Sequence, residues 1–288
     1  MYATPTNVGF MIAAGLGTGV LGAILGTGGG VFLIPLLLLA FGVPMHYAVA
    51  TSIVSVVATS TAVASVNVER GTANMRLGMT LEIATSLGAI TGGLTAGWLP
   101  PTALEILFAI VLLPTAVLMW RGVTENVGDA SPTTDELKST SANHRERSAL
   151  LAGRYFDPRR GRNVVYQVQR LWAGLGISFV AGNLSGLLGI GGGVFKVPAL
   201  HLACRVPIQA AAATSNFMIG VTAAASAFLY FGRGEVRPAT TAAIVLGVIA
   251  GSAIGSRIGP ALHGKFVKRL FAVLLVAVSV QMFVRALG

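Results

Sequence analysis

Long hydrophobic stretches, separated by short polar or basic turns, occupy most of this chain. Most are about 20 residues long, enough for a helix rising 1.5 Å per residue to cross about 30 Å of hydrocarbon. Ten such stretches are present: 8–26, 31–41, 47–67, 77–97 and 102–120, then 171–188, 194–204, 209–231, 239–257 and 266–286. The pattern predicts an all-α polytopic membrane protein.

One segment occurs twice, 163 residues apart: GTGGGVFLIP at 26–35 returns as GIGGGVFKVP at 189–198. Further pairs match at the same offset, namely Val43-Pro44 with Val206-Pro207 and Ala50-Thr51-Ser52 with Ala213-Thr214-Ser215. A register held from about residue 26 to residue 97 indicates a duplicated unit. We therefore expect a first transmembrane repeat in 1–120 and a second in 171–288, joined by a loop at 121–170.

The composition suits a chain covered by lipid. It is 54% hydrophobic and 10% charged, with a mean hydropathy of +0.76, whereas soluble domains carry about 25% charged residues. The net charge of +10 would suit nucleic acid, but 15 of the 30 charged residues lie in 121–170 and most others flank apolar stretches. That distribution is typical of cytoplasmic loops. We expect a lipid bilayer as partner and no nucleic acid.

The segment 121–170 is the one stretch polar enough to lie outside the bilayer. Residues 129–141 are rich in Ser, Thr, Asp and Pro, which predicts a flexible linker. In 154–168 two β-prone runs flank a Pro/Gly turn, which predicts a β-hairpin. We place this loop in the cytoplasm, where its basic residues either bind a partner or anionic lipid, or serve only to fix the topology.

The distribution of basic residues favours two inverted halves. If each half crosses an odd number of times and the N-terminus is external, 16 basic residues fall inside and 3 outside. With four crossings in each half and a cytoplasmic N-terminus, the numbers are 14 and 5. Both counts obey the positive-inside rule, and the first obeys it better. The inverted arrangement is therefore our prediction, with four plus four parallel crossings as the alternative.

The repeated glycine triplets are the candidate binding site. Three consecutive glycines break a helix, and the freed backbone groups are tolerated in a bilayer only inside protein or along a wet cavity. Each triplet therefore predicts a re-entrant or discontinuous helix, with a new helix starting near Val31 and Val194. Its first N–H groups would face an anion. The alternative is close helix packing, but the duplication favours a ligand site at Gly28, Gly29, Gly30, Gly191, Gly192 and Gly193.

A second repeated polar pair follows each glycine element. Thr51 and Ser52 in the first half correspond to Thr214 and Ser215 in the second, and Asn216 extends the second pair only. These hydroxyls either bond a carbonyl of their own helix or donate to a bound oxyanion. We include all five residues in the candidate substrate site.

Two ionisable residues interrupt the apolar stretches near these elements. Lys196 lies three residues after Gly193, where the other repeat has Leu33. A lysine there is costly unless it faces a cavity or a partner, so it is a candidate anion ligand, with snorkelling to the interface as the alternative. Glu82, opposite Val245 in the repeat, is a candidate coupling acid or the partner of Lys196; otherwise it lies at the membrane edge.

The paired Gly-x-Gly-Gly-Gly-x-x-x-x-Pro elements and the two apolar halves around a basic loop resemble the TauE/SafE family of sulfite and organosulfonate exporters. The likeness covers nearly the whole chain outside the loop. It implies a permease of the inner membrane for small sulfur-containing anions, without a cofactor. The motif glycines of the family map onto the six glycines named above, and the lone Lys196 implies a lopsided site.

These patterns together predict a secondary transporter. It would move a small anion, sulfite or an organosulfonate, across the cytoplasmic membrane by alternating access at a midplane site between the repeats. The alternatives are an anion channel, a permease for another anion such as a carboxylate, or a scaffolding protein that uses the hairpin loop. The chain has no cluster of metal ligands, no nucleophile beside a base and no paired acids, so we expect neither an enzyme nor a metal. The pattern leaves the oligomeric state open.

Overall fold

The computed structural model describes residues 5–25, 27–120, 151–157, 162–258 and 264–287. Within these ranges the first repeat forms five helices: α1 (Pro5–Leu25), α2 (Gly30–Ala40), α3 (Met45–Glu69), α4 (Met75–Ala96) and α5 (Pro101–Trp120). The second repeat forms five more: α6 (Leu171–Leu188), α7 (Gly193–Leu202), α8 (Ile208–Gly232), α9 (Pro238–Ile258) and α10 (Gly264–Leu287). The ten predicted segments are thus ten helices, which confirms the all-α prediction.

Six of these helices are long and apolar enough to cross a bilayer. By length and composition the candidates within the described ranges are Val8–Leu25, Met45–Glu69, Met75–Ala96, Leu171–Leu188, Gln209–Gly232 and Pro238–Ile258. The helices that follow the glycine triplets, α2 and α7, have 11 and 10 residues. At 1.5 Å per residue each rises only about 15 Å, too little to cross the hydrocarbon alone.

The central segment contributes two short strands where the sequence predicts a hairpin. β1 (Gly153–Asp157) pairs antiparallel with β2 (Arg162–Tyr166), and Gly153 lies opposite Tyr166. Tyr166 is 2% exposed, and burial raises the pKa of its phenol because the phenolate would lose its water. The predicted linker at 129–141 lies outside the described residues.

Asn74, just before α4, joins the hairpin segment to both repeats. Its side-chain amide donates to Leu151 O at 2.9 Å, and its carbonyl oxygen caps α4 by accepting from Leu77 N at 3.1 Å. Its own backbone N–H donates to Thr214 Oγ1, on α8, at 2.9 Å. One residue therefore fixes the start of α4 against the central segment and the second repeat.

The two repeats pack against each other through equivalent pairs of helices. α1 packs along α9, and α6 packs along α4, so the first helix of each repeat lies against the fourth helix of the other. In the same way α3 meets α8, α4 meets α8 and α9 meets α3, while α5 packs against α10. The core of the molecule is therefore formed between the repeats.

Glycines allow this close approach. A Cβ added at Gly88 or Gly92 on α4 would collide with the carbonyl oxygens of Phe179 and Asn183 on α6. In the other repeat, Gly251 on α9 would meet Leu16 O in the same way. Small residues are what membrane helices use for contact, because lipid supplies no hydrophobic drive between helices.

Candidate functional site

Each glycine triplet ends one helical path and starts another. Positive φ angles between 70° and 80° occur at Gly28, Gly29, Gly191 and Gly192. Residues with a Cβ adopt this left-handed region only at a cost. The new helices begin at the third glycine of each triplet, Gly30 and Gly193, one residue before the predicted starts.

The first N–H groups of both new helices lie outside the helical bonding pattern. In α2 the first bond to the carbonyl four residues back is from Leu33 N to Gly29 O, at 3.2 Å. In α7 it is from Lys196 N to Gly192 O, at 3.0 Å. Phe32 N and Phe195 N, one residue earlier, donate to the same two carbonyls at 3.1 Å. The first turn of each helix carries the positive end of the helix dipole, which favours a negative charge at this point.

The structure brings the two breaks together. A Cβ added at Gly30 would lie only 2.6 Å from Gly189 O, the start of the opposite break. Ser52 on α3 donates its hydroxyl to that same Gly189 O at 2.8 Å. A Cβ at Gly191 would lie 3.6 Å from Thr27 O. The breaks therefore touch across the interface of the repeats.

Two apolar side chains fill the space between the breaks. Val56 on α3 and Ile219 on α8 are 163 residues apart, occupy equivalent positions in the repeat and are fully buried. A Cβ at Gly28 would lie 3.1 Å from Val56 and 3.3 Å from Ile219, and one at Gly191 would lie 2.8 Å and 3.1 Å from them. An anion can reach this point only if Val56 and Ile219 move.

A buried polar cluster lies beside the second break. Lys196, 1% exposed, donates from Nζ to Thr222 Oγ1 at 2.6 Å. The Thr222 hydroxyl in turn donates to Glu82 Oε1 at 2.7 Å. Ser86 Oγ donates to the same carboxylate oxygen at 3.0 Å. The lysine of the second repeat and the carboxylate of the first are thus linked through one threonine. Glu82 and Lys196 are therefore neighbours bridged by Thr222, and the Lys196 side chain is buried inside the protein.

The position of Lys196 concentrates positive charge at the break. Its Cε would lie 3.5 Å from a Cβ added at Gly192, so its side chain folds back over the glycine. Lys196 also lies in the first turn of α7, where the helix dipole adds to its charge. Glu82 neutralises this charge from α4. The cluster is a place where an anionic group is held inside the protein.

The equivalent place in the first repeat is apolar. At the offset of 163 residues, Lys196 corresponds to Leu33, Thr222 to Thr59 and Glu82 to Val245. Leu33 is 1% exposed, and the Thr59 hydroxyl donates to Ser55 O of its own helix at 3.0 Å. The duplicated frame therefore carries one charged cluster, on the side of the second break.

The other predicted polar residues are buried but play varied parts. Thr51 Oγ1 and Thr241 Oγ1 are 3.3 Å apart, and Thr214 accepts from Asn74 as described above. Ser215 Oγ has no hydrogen-bond partner among the described residues, and Asn216 is 7% exposed. Ser52 and Lys196 thus contact the second break, while Thr51 and Thr214 hold neighbouring helices.

Sequence reasoning missed Thr222 and Ser86. Thr222 lies 163 residues after Thr59, so the repeat carried a signal that would have identified it. Ser86 lies one helical turn after Glu82, on the same face, and that spacing was also available. Neither the apolar Val56 nor Ile219 differs in type from its neighbours, so no such signal existed for them.

The described residues offer no metal site: within the described ranges no three His, Cys, Asp or Glu side chains come together. The cluster instead offers one ammonium, two hydroxyls and one carboxylate. Such a set suits binding a small anion or moving a proton.

Comparison with known proteins agrees with this architecture. The model of the family described as "Sulfite exporter TauE/SafE" matches residues 11–282. The probable membrane transporter protein YunE of Bacillus subtilis (strain 168) is 24% identical over 280 residues, which cover 94% of this chain and 96% of the relative. A probable membrane transporter protein of Xylella fastidiosa (strain 9a5c) is 24% identical over 266 residues, covering 91% and 90%. No solved structure matches the chain.

The family match spans nearly the whole chain, and relatives that match over 90% or more of their own length are named as probable membrane transporters. With six helices able to cross a bilayer, the chain belongs to the sulfite exporter TauE/SafE family and is a multi-pass membrane transporter of that type.

Proposed function

We propose that this protein is a secondary transporter that moves a small anion, sulfite or an organosulfonate, across the cytoplasmic membrane by alternating access. Lys196 would hold the anion together with the N–H groups of the two glycine breaks and the hydroxyls near them. The central loop, 121–170, would lie in the cytoplasm. The observation that carries this proposal is the fully buried lysine beside a broken helix, between the two repeats.

The charge of Lys196 supports the choice of an anion. A buried ammonium in a membrane protein is costly unless it serves a ligand or a partner. Its place in the first turn of α7 adds the helix dipole to its charge. A cation would be repelled by the ammonium of Lys196 and by the helix dipole.

The packing between the breaks favours a carrier over a channel. Val56 and Ile219 fill the space between Gly28 and Gly191, so the path is closed in this structure and opens only when α3 or α8, or these two side chains, move. The directions of the helices support an inverted arrangement of the repeats. Contacts between α4 and α8 pair Gly78 with Thr214 and Glu82 with Thr222, so these two helices run in the same direction. A short turn joins α3 to α4 and would reverse the chain, so α3 would run opposite to α8, its counterpart in the second repeat.

The test is binding of defined anions to purified protein. Sulfite, isethionate, sulfate and acetate are added in turn, and the melting temperature is measured, because a ligand that binds only the folded state raises it. We expect sulfite or isethionate to stabilise the wild type. Lys196→Met should weaken binding about 10- to 100-fold, the value of a hydrogen bond to a charged group.

Two further variants make this test decisive. Lys196→Met leaves Glu82 unpaired, so the double variant Lys196→Met/Glu82→Gln checks that lost binding does not come from lost folding. Arg70→Met, which removes an exposed charge at the end of α3, is the matched control and should bind normally. Unchanged affinity in both Lys196 variants would remove Lys196 from the site. Equal stabilisation by acetate would redirect the proposal to carboxylates, and saturating flux in liposomes distinguishes a carrier from a channel.

A further inference from the structure

The carboxylate of Glu82 supplies the negative charge nearest to Lys196 in the cluster, through the hydroxyl of Thr222. We infer that a proton on Glu82 and an anion at Lys196 bind together, so that the transporter carries a proton with each anion. This inference rests on the proposed function, and it names the coupling ion of that same site.

Few charged or titratable side chains lie on the helices around Glu82. α7 carries Lys196 in its first turn and His201 in its last turn. On α4 itself, Arg76 lies six residues before Glu82. The sequences of α6 and α8 contain no Asp, Glu, Lys, Arg or His. Lys196 is therefore the charge to which Glu82 responds, through the hydroxyl of Thr222.

Balancing charge links the two ligands. With Glu82 ionised, the cluster is neutral, and a monovalent anion would bring a net negative charge into a buried place. With Glu82 protonated, the cluster carries the charge of Lys196, and the anion restores neutrality. Each ligand therefore raises the affinity for the other by the same factor. In an antiporter that exchanges a proton for the anion, each ligand would instead have to lower the affinity for the other.

The geometry leaves a place for the proton. Glu82 is 7% exposed, and its Oε1 accepts from Thr222 and Ser86. Its Oε2 has no partner among the described residues. A proton can add to Oε2 without breaking either bond. The Thr222 hydroxyl carries one hydrogen and has two acceptors within reach, Glu82 Oε1 at 2.7 Å and Met218 O at 2.8 Å. The hydroxyl can therefore donate to Met218 O instead once the carboxylate is neutral.

The experiment uses the full-length protein in liposomes with labelled isethionate, whose sulfonate stays ionised over the range tested, and with labelled sulfite. In wild type, a gradient that is acidic outside should drive accumulation inside. Affinity should rise toward acid by up to about tenfold per pH unit where Glu82 titrates, the limit for one linked proton. Glu82→Gln should still exchange labelled for unlabelled anion, but it should lose both the response to the gradient and the pH dependence.

Matched variants separate the possible results. Glu105→Gln removes another buried carboxyl, at the start of α5, and should keep the gradient response, whereas Glu82→Asp should keep it at a lower rate. If Glu82→Gln does not fold, the pH dependence of wild-type binding decides. Wild-type flux that ignores the gradient, or a Glu82→Gln variant that follows it like wild type, overturns the inference alone. Wild type that carries neither anion contradicts the proposed function as well.

Discussion

Glycine is favoured at position 191 for two reasons, a left-handed backbone conformation and the lack of space for a side chain, and substitutions can measure each of them. Its φ is 76°, and an added Cβ would lie 2.8 Å from the side chain of Val56. Gly234, in the turn before α9, has a φ of 71° and open space around its Cα. The two glycines share the backbone demand and differ in the packing demand.

We expect Gly234→Ala to cost about 1–2 kcal/mol of stability, the strain of a left-handed alanine. Gly191→Ala should cost about 1–3 kcal/mol more, because it also overpacks the contact with Val56. Unfolding of both variants in detergent, followed by tryptophan fluorescence against denaturant, measures the difference. Equal losses would mean that the contact between the breaks is loose.

At this scale the sequence predicted chemistry better than packing. Lys196 and Glu82 stood out because ionisable residues are rare in apolar stretches, and the structure links them. Val56 and Ile219 could not be predicted, since an apolar residue in a membrane protein faces lipid or protein with little change in composition. Sequence therefore indicated which charges lie inside, and it did not reveal what fills the space between the breaks.

The helices themselves were readable, but their partners were not. Apolar length gave ten segments, and the glycine triplets gave the starts of α2 and α7 within one residue. That α1 packs more extensively along α9 than against α2 or α3 of its own repeat was not predictable. Apolar residues dominate both helices, and neither has a distinct amphipathic face that would indicate a partner.

The glycine-lined contact between α4 and α6, called a seam below, allows a test of close packing on a single helix. A Cβ at Gly182 on α6 would collide with Thr85 O of α4, while Gly176 on the same helix has open space around it. We expect Gly182→Ala to lower the melting temperature by several degrees, because the helices must separate. Gly176→Ala should leave it unchanged or raise it slightly, because alanine favours a helix. Equal effects at both positions would show that helix propensity alone governs α6.

At the scale of the whole molecule, the orientation of the repeats can be tested by labelling. Glu69 and Gly232 end α3 and α8, are equivalent at the offset of 163 residues, and are both exposed. The sole cysteine, Cys204, is buried, so Cys204→Ala provides the background. In inverted repeats, Glu69→Cys and Gly232→Cys should react with a membrane-impermeant maleimide from opposite sides. Labelling from the same side would instead support four plus four parallel crossings.

The reciprocal seams also bear on how such a chain could arise. Taken alone, one repeat would expose the glycine surfaces of its first and fourth helices, with no helix of its own to cover them. Each surface fits the other when two copies meet, as in a two-fold symmetric dimer. The smallest complete unit of this architecture is thus two repeats. Expressed alone, half of this chain would have to pair with a second copy to cover both glycine surfaces.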